Sequence, residues 1–173
     1  MARLSQINLQ VNPPLPQGVT AGISQSPLQL AQWGMNLLVE ISTASAFLTP
    51  PNANVRSTTT VMGHIDTGAS MTSLDQNLAH HLGLVSVGQG RNATANGFSV
   101  VSHYAVDIAF LNSALSSIQN LLVSSCQLPH FRLQQALQNP IQPVNFGILI
   151  GHDILARWNL TWHGPTSTVF ISD

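Results

Sequence analysis

The stretch from Val61 to Ser73, VMGHIDTGASMTS, constrains this chain more than any other. An apolar approach (Val61, Met62, Ile65) runs into Asp66-Thr67-Gly68-Ala69-Ser70, where the backbone must turn sharply. A strand that ends in an acid, a hydroxyl and a glycine puts a carboxylate at a tight, hydrogen-bonded tip. Carboxylates seldom leave water without partners, so an acid delivered by such an apolar run asks for a reason. Catalysis by a pair of carboxylates supplies one. The loop occurs once in the chain, so the second carboxylate has to come from a second subunit.

The remainder of the sequence reads mainly as strands. Leu37, Val39 and Ile41 alternate against Asn36, Leu38 and Glu40, which predicts a strand over Met35–Phe47. After Pro50-Pro51, a second strand over Val55–Ile65 completes a hairpin into the acidic loop. Ser73 with Gln76 forms a capping-box signature for a helix over Leu74–Leu82, with Leu74, Leu78 and Leu82 on one face and Gly83 as its stop. Phe98–Phe110 predicts a long arm with Val100, Tyr104, Val106, Ile108 and Phe110 on one face. Its other face carries Val101, His103, Ala105, Asp107 and Ala109, with Asp107 solvated, and the hairpin tip falls near 91–97. Further strands are expected over Ile118–Ser124, Phe146–Ile150 and Thr166–Ser172, with short helices over Pro27–Trp33, Pro129–Gln138 and Asp153–Trp158. Pro13, Pro14 and Pro16 argue against a regular element in residues 1–25. The sum is an all-β class, mainly β with two or three short helices, in a closed or sandwich-like sheet.

Two pieces meet in this order. Ile65-Asp66-Thr67-Gly68-Ala69-Ser70 precedes the polar hairpin, and Ile148-Leu149-Ile150-Gly151-His152-Asp153-Ile154-Leu155 follows it. The arrangement resembles the retropepsin-like (retroviral-type, single-lobe) aspartic proteases, particularly their bacterial relatives. The likeness runs from Met35 to the C-terminus; it divides the chain into an arm or pro-segment over 1–34 and a protease domain over 35–173. It implies a closed β barrel with one lobe per chain, a homodimer with a shared active site, and hydrolysis of peptide bonds without a cofactor.

Each residue's role follows from that resemblance. Two carboxylates about 3 Å apart cannot both ionise, so the pair shares a proton and titrates as a unit. Asp66 from each subunit would activate the water and polarise the scissile carbonyl in turn. The Thr67 hydroxyl would bridge to the opposing loop, and the Gly68 N–H would hold the carboxylate. Ala69 keeps a crowded loop small, and Ser70 would bond toward the residues that support the loop or toward the substrate backbone. Asn96, Gly97 and Phe98 belong to the expected flap, which closes over an extended peptide. The flap lacks the glycine run of retroviral members. Ile150 and Gly151 form the strand that passes behind the loop, and the run Thr166–Ser172 suits a dimer sheet.

Charge narrows the partners. Only 6% of the 173 residues are charged, with five arginines and no lysine, so neither a nucleic-acid footprint nor a polybasic membrane signal is present. No apolar run is long enough for a membrane helix, and no signal peptide is evident, which predicts a cytoplasmic protein. His64 shares a strand face with Asp66 and invites a metal reading, but no further ligand spacing supports one and no metal is expected. His64 is instead a candidate to tune the carboxylate pair. Gly-x-Ser-x-Gly is absent, which removes a serine hydrolase. Cys126, the single cysteine, reads as a small core residue. The rival of another class is a catalytically silent fold dimer that binds or scaffolds peptides.

Overall fold

The structure is a computed structural model and describes residues 21–24, 31–47, 57–94, 97–142, 144–163 and 168–173. Its strands are β1 (Ala21–Ser24), β2 (Asn36–Thr43), β3 (Thr58–Ile65), β4 (Ser73–Asp75) and β5 (Gly88–Thr94). They continue with β6 (Gly97–Phe110), β7 (Ile118–Cys126), β8 (Phe146–Ile150), β9 (Asn159–His163) and β10 (Thr168–Ser172). Three short helices, α1 (Gln76–His81), α2 (Leu133–Gln138) and α3 (His152–Leu155), lie between them. Residues 31–33 form a helical turn; the earlier part of the helix expected over Pro27–Trp33 lies outside the described residues.

Six strands close a barrel. The order is β2–β3–β8–β4–β7–β6, and β6 returns to pair with β2, while β5 hangs on the outer edge of β6. Closure leaves none of the six with a free edge along its full ladder, which removes most of the liability of an exposed sheet margin. Two of the pairings are parallel, β3 with β8 and β4 with β7, and the others are antiparallel. A parallel partner has to return through a long crossover, so the loop after β3 is flanked by chain from far along the sequence. A second, three-stranded sheet runs β1–β10–β9.

The core follows the apolar alternation. Val39, Ile41, Val61, Val106, Ile108, Ile148 and Ile150 are buried in one cluster with Leu74 and Leu78. Branched side chains dominate it, as suits a pleated, tightly packed interior. The expected one-sided pattern of β2 is too simple. Leu38 and Asn36 are buried as well as Leu37, Val39 and Ile41, so both faces of β2 are covered, while its two edges are taken by β3 and β6.

Several expectations are corrected. Ser73 and Leu74 are strand, not the start of a helix: β4 pairs with β7 and β8, and those ladder bonds outweigh the local capping signature. The helix cap is Asp75, whose Oδ1 accepts the Asn77 N–H at 2.8 Å, while Ser73 Oγ donates to the Met71 carbonyl. Asp107 is buried rather than solvated. It sits where the β6–β7 register shifts, and its carboxylate accepts the Asn120 N–H at 2.7 Å and the Ser45 N–H at 3.3 Å. Those bonds hold Asn120 at φ 54 and the 3₁₀ turn Ser45–Phe47, which replaces the end of the strand expected there. Residues 21–24 of the proline-rich arm form β1, since backbone pairing with β10 needs no local propensity. The sequence pattern does not announce β9, and with it both edges of β10 are filled by its own chain. The C-terminal run therefore offers no free edge of its own to a dimer sheet.

Candidate active site

Asp66 follows directly on β3, and its N–H donates to the Ile150 carbonyl at 3.0 Å, which extends the β3–β8 ladder by one bond. The chain then turns: the Ala69 N–H reaches back to the Asp66 carbonyl at 3.2 Å, and the Gly68 N–H donates to Asp66 Oδ1 at 2.9 Å. A Cβ on residue 68 would stand 3.2 Å from that carboxylate oxygen, so glycine suits the close approach. The carboxylate is half-buried, and Thr67, Gly68 and Ser70 are exposed around it. The result is an acid oriented by a backbone N–H and presented at the surface of the barrel.

The loop is clamped from the other end of the chain. His152 donates its backbone N–H to the Ala69 carbonyl at 2.9 Å, and its Nε2 lies 2.9 Å from the Thr67 carbonyl. That distance makes Nε2 the protonated nitrogen, since a carbonyl only accepts. Gly151 passes so close to the loop that a Cβ there would fall 2.6 Å from the Met71 carbonyl carbon and 2.8 Å from the Thr72 nitrogen. The Gly151 N–H donates to Thr72 Oγ1 at 3.1 Å. Thr72 is fully buried, and the Asp153 carboxylate accepts its N–H at 3.0 Å and its hydroxyl at 2.7 Å. Thr72, His152 and Asp153 were given no role from sequence. Asp153 could have been found, because it lies in the run Ile-Leu-Ile-Gly-x-Asp beside the expected loop strand.

A second network supports the approach to the loop. The Asn36 amide nitrogen donates to the Trp33 and Gly34 carbonyls at 3.1 and 3.2 Å, and its Oδ1 lies 3.1 Å from His64 Nδ1. The His64 ring stacks on Phe146 at 5.0 Å between centroids and 27° between planes. Burial pushes the imidazole below its usual range, and the Asp66 carboxylate and the Trp33 carbonyl oppose that shift. Gly34 has φ 62, and a Cβ there would lie 2.5 Å from His64 Cε1, so both backbone and space call for glycine.

The expected flap region is the β5–β6 hairpin, with Thr94 opposite Gly97. Asn96 lies outside the described residues. Gly97 has φ 109, and Phe98 and Val100 are exposed at 81% and 68%. By strand alternation these two share a face with Tyr104 and Val106, which are buried in the barrel core. The hairpin thus carries the apolar inner face of the barrel out beyond it. Among the described residues no three His, Cys, Asp or Glu side chains gather into a metal-binding group.

The site is thus a strand-borne Asp-Thr-Gly tip at the surface of a single β barrel, pinned from behind by a second glycine-bearing strand. Residues 52–139 match the aspartyl protease family, which is half of the chain, and the chain belongs to that family. Among solved structures, it is similar to a retropepsin-like aspartic protease from Rickettsia conorii, at 13% identity and TM-score 0.42, over 79% of this chain and 88% of that one. It is also similar to the retroviral protease-like domain of Ddi1 from Leishmania major, at 14% identity and TM-score 0.38, over 73% of this chain and 81% of that one. No curated protein matches the chain in sequence.

Proposed function

We propose that the protein is an aspartic endopeptidase that works as a homodimer, each subunit contributing Asp66. The observation that carries the reading is the Asp66 tip itself: a half-buried carboxylate oriented by the Gly68 N–H, on a loop held by His152, Gly151 and the Asp153–Thr72 bonds. A carboxylate that acts as general base has to be held still yet remain within reach of water, and this geometry does both.

Across a two-fold axis the two acids share one proton. The ionised acid takes a proton from the water between them, the protonated one donates to the scissile carbonyl oxygen, and the roles exchange as the amine departs. Thr67, exposed beside Asp66, bridges to the opposing loop, Ala69 keeps that contact close, and Ser70 bonds outward. The β5–β6 hairpin closes over an extended peptide, with Gly97 and Phe98 at its tip and Phe98 and Val100 lining the covered side. No cofactor takes part.

The test is hydrolysis of a peptide library by the wild type and by Asp66→Asn. The expected result is a rate loss of about 10²–10⁴-fold or more in the variant, with the oligomeric state unchanged and wild-type cleavage blocked by a statine-type mimic. Equal cleavage by both proteins would end the aspartic-peptidase reading, and binding of peptides without cleavage by either would favour a silent scaffold.

A further inference from the structure

We propose that His64 is an electrostatic positioning residue for Asp66: a neutral Nδ1–H imidazole at neutral pH that takes its second proton on Nε2 in acid and then sets a positive charge beside the loop carboxylate. The inference deepens the peptidase reading, but its decisive measurement does not depend on that reading.

The argument begins with Asn36. Its side chain is buried, and one end of the amide faces two carbonyl oxygens, those of Trp33 and Gly34. Only the NH₂ group can sit there, since the amide oxygen would meet two acceptors. The oxygen is therefore the end that meets His64 Nδ1 at 3.1 Å. An acceptor at that distance requires a proton on Nδ1, so the neutral ring keeps its lone pair on Nε2. A buried asparagine thus fixes the tautomer of a histidine, as a partner on one ring nitrogen does in general.

Geometry then places the ring with respect to Asp66. The Asp66 N–H to Ile150 carbonyl bond keeps the β3–β8 ladder running through residue 66, so residues 64 and 66 project from the same face, roughly 7 Å apart along the strand. Two rigid contacts stop the ring from swinging away, the stack on Phe146 and the close edge of Gly34. The elements packed around it bring few rival charges. Opposite lie Asn36 on β2 and Leu149 on β8, and α2, which packs against β3, has no titratable residue. Arg132, just before α2, is engaged with the Pro129 and Phe131 carbonyls. His152 acts on the loop at the Thr67 carbonyl. The Asp66 carboxylate is the charge that raises the proton affinity of His64 against the opposing effect of burial.

The coupling is reciprocal. If Asp66 favours the charged ring, the charged ring favours the ionised carboxylate by the same amount. In acid, where a shared-proton pair would otherwise take up its second proton and stop working, a cation on His64 keeps one carboxylate ionised to lower pH.

The test uses nitrogen-15 and Cε1-proton NMR titration of His64 in the full chain, in wild type and in Asp66→Asn. The expected result is a protonated Nδ1 and a bare Nε2 at pH 8, and a His64 midpoint that falls by roughly half a pH unit when Asp66 loses its charge. A bare Nδ1, or the same midpoint in both proteins, would overturn the proposal. The functional arm is His64→Gln, whose amide can still donate to Asn36 but cannot charge. Its acid limb of kcat/KM is expected to move to higher pH by a similar amount; an unmoved limb would reduce His64 to a packing residue. If the wild type cleaves no peptide, the hydrolase reading fails, and the coupling still stands or falls on the NMR midpoints.

Discussion

Asp153 and Thr72 are joined three times over: the carboxylate accepts the Thr72 N–H on both of its oxygens at 3.0 Å, and the Thr72 hydroxyl at 2.7 Å. These bonds tie the end of the Asp66 loop to the first turn of α3. Asp153→Ala strands a buried N–H and a hydroxyl, and is expected to cost about 3 kcal/mol in urea unfolding. Asp153→Asn keeps one acceptor and is expected to cost about half of that. Equal midpoints for wild type and Asp153→Ala would show that the bonds do not hold the loop.

Gly151 has φ −93, so its backbone is ordinary and the case for glycine is one of space alone. Gly151→Ala drives a methyl into the backbone of Met71 and Thr72, neither of which is a flexible side-chain end. A loss of about 2–3 kcal/mol is expected from the forced shift, read as a drop in Tm. On the proposed function, peptidase activity should fall further than stability alone explains, because the displaced backbone of Met71 and Thr72 continues directly from the Asp66 loop. A variant as stable as wild type would contradict the packing.

Cys126 is part-buried next to Asp75, and its thiol is pushed up to about 12, first by burial and then by that carboxylate. Only the thiolate attacks an alkylating reagent, so at pH 8 the folded protein should label about a thousandfold more slowly than an exposed cysteine. Denaturation in urea should restore the ordinary rate. Rapid labelling of the native protein would mean the strand end is open.

Acid should weaken the fold through His64. Its folded value lies below the ordinary one, chiefly through burial. Well above about pH 6.5 the ring is neutral in both states and its contribution is complete. Below that, the unfolded chain binds the proton first, and stability falls until the pH passes the folded value. Tm is expected to drop more between pH 7.5 and 5 in wild type than in His64→Gln, and equal drops would rule this contribution out.

Phe98 and Val100 are exposed, so serine at either position should leave stability within about 0.5 kcal/mol. On the proposed function, the double replacement is expected to raise KM for peptides with large apolar side chains and to spare kcat more. A change confined to kcat would place the two residues away from the bound peptide.

The barrel was legible wherever side-chain pattern and backbone demand agree. β3, β7 and β8, the arm of β6, and the Asp-Thr-Gly tip were all readable from apolar runs and turn residues. The failures share a cause, which is pairing with distant chain. Ser73 and Leu74 carry a helix signature but become strand because β7 and β8 lie on either side. Asp107 reads as a solvated alternation residue until the register shift turns it toward Asn120 and Ser45. At the site, Gly68 and Gly151 announced close backbone approach, whereas His152 had no local sign at all, since its partner Thr67 lies 85 residues away.

The closure of the barrel also orders events in time. β3 is finished by residue 65, but the partner that continues its ladder past Asp66 is Ile150, and the clamps on the loop come from 151–153. Contacts that span so much chain form late, because loop-closure entropy precedes any reward. A growing or partly folded chain that has made the Asp-Thr-Gly tip therefore holds an acid on an unbraced loop. The last-arriving segment is what converts that acid into a fixed one, so on the proposed function the site stays inert until residues 150–153 have docked against the loop.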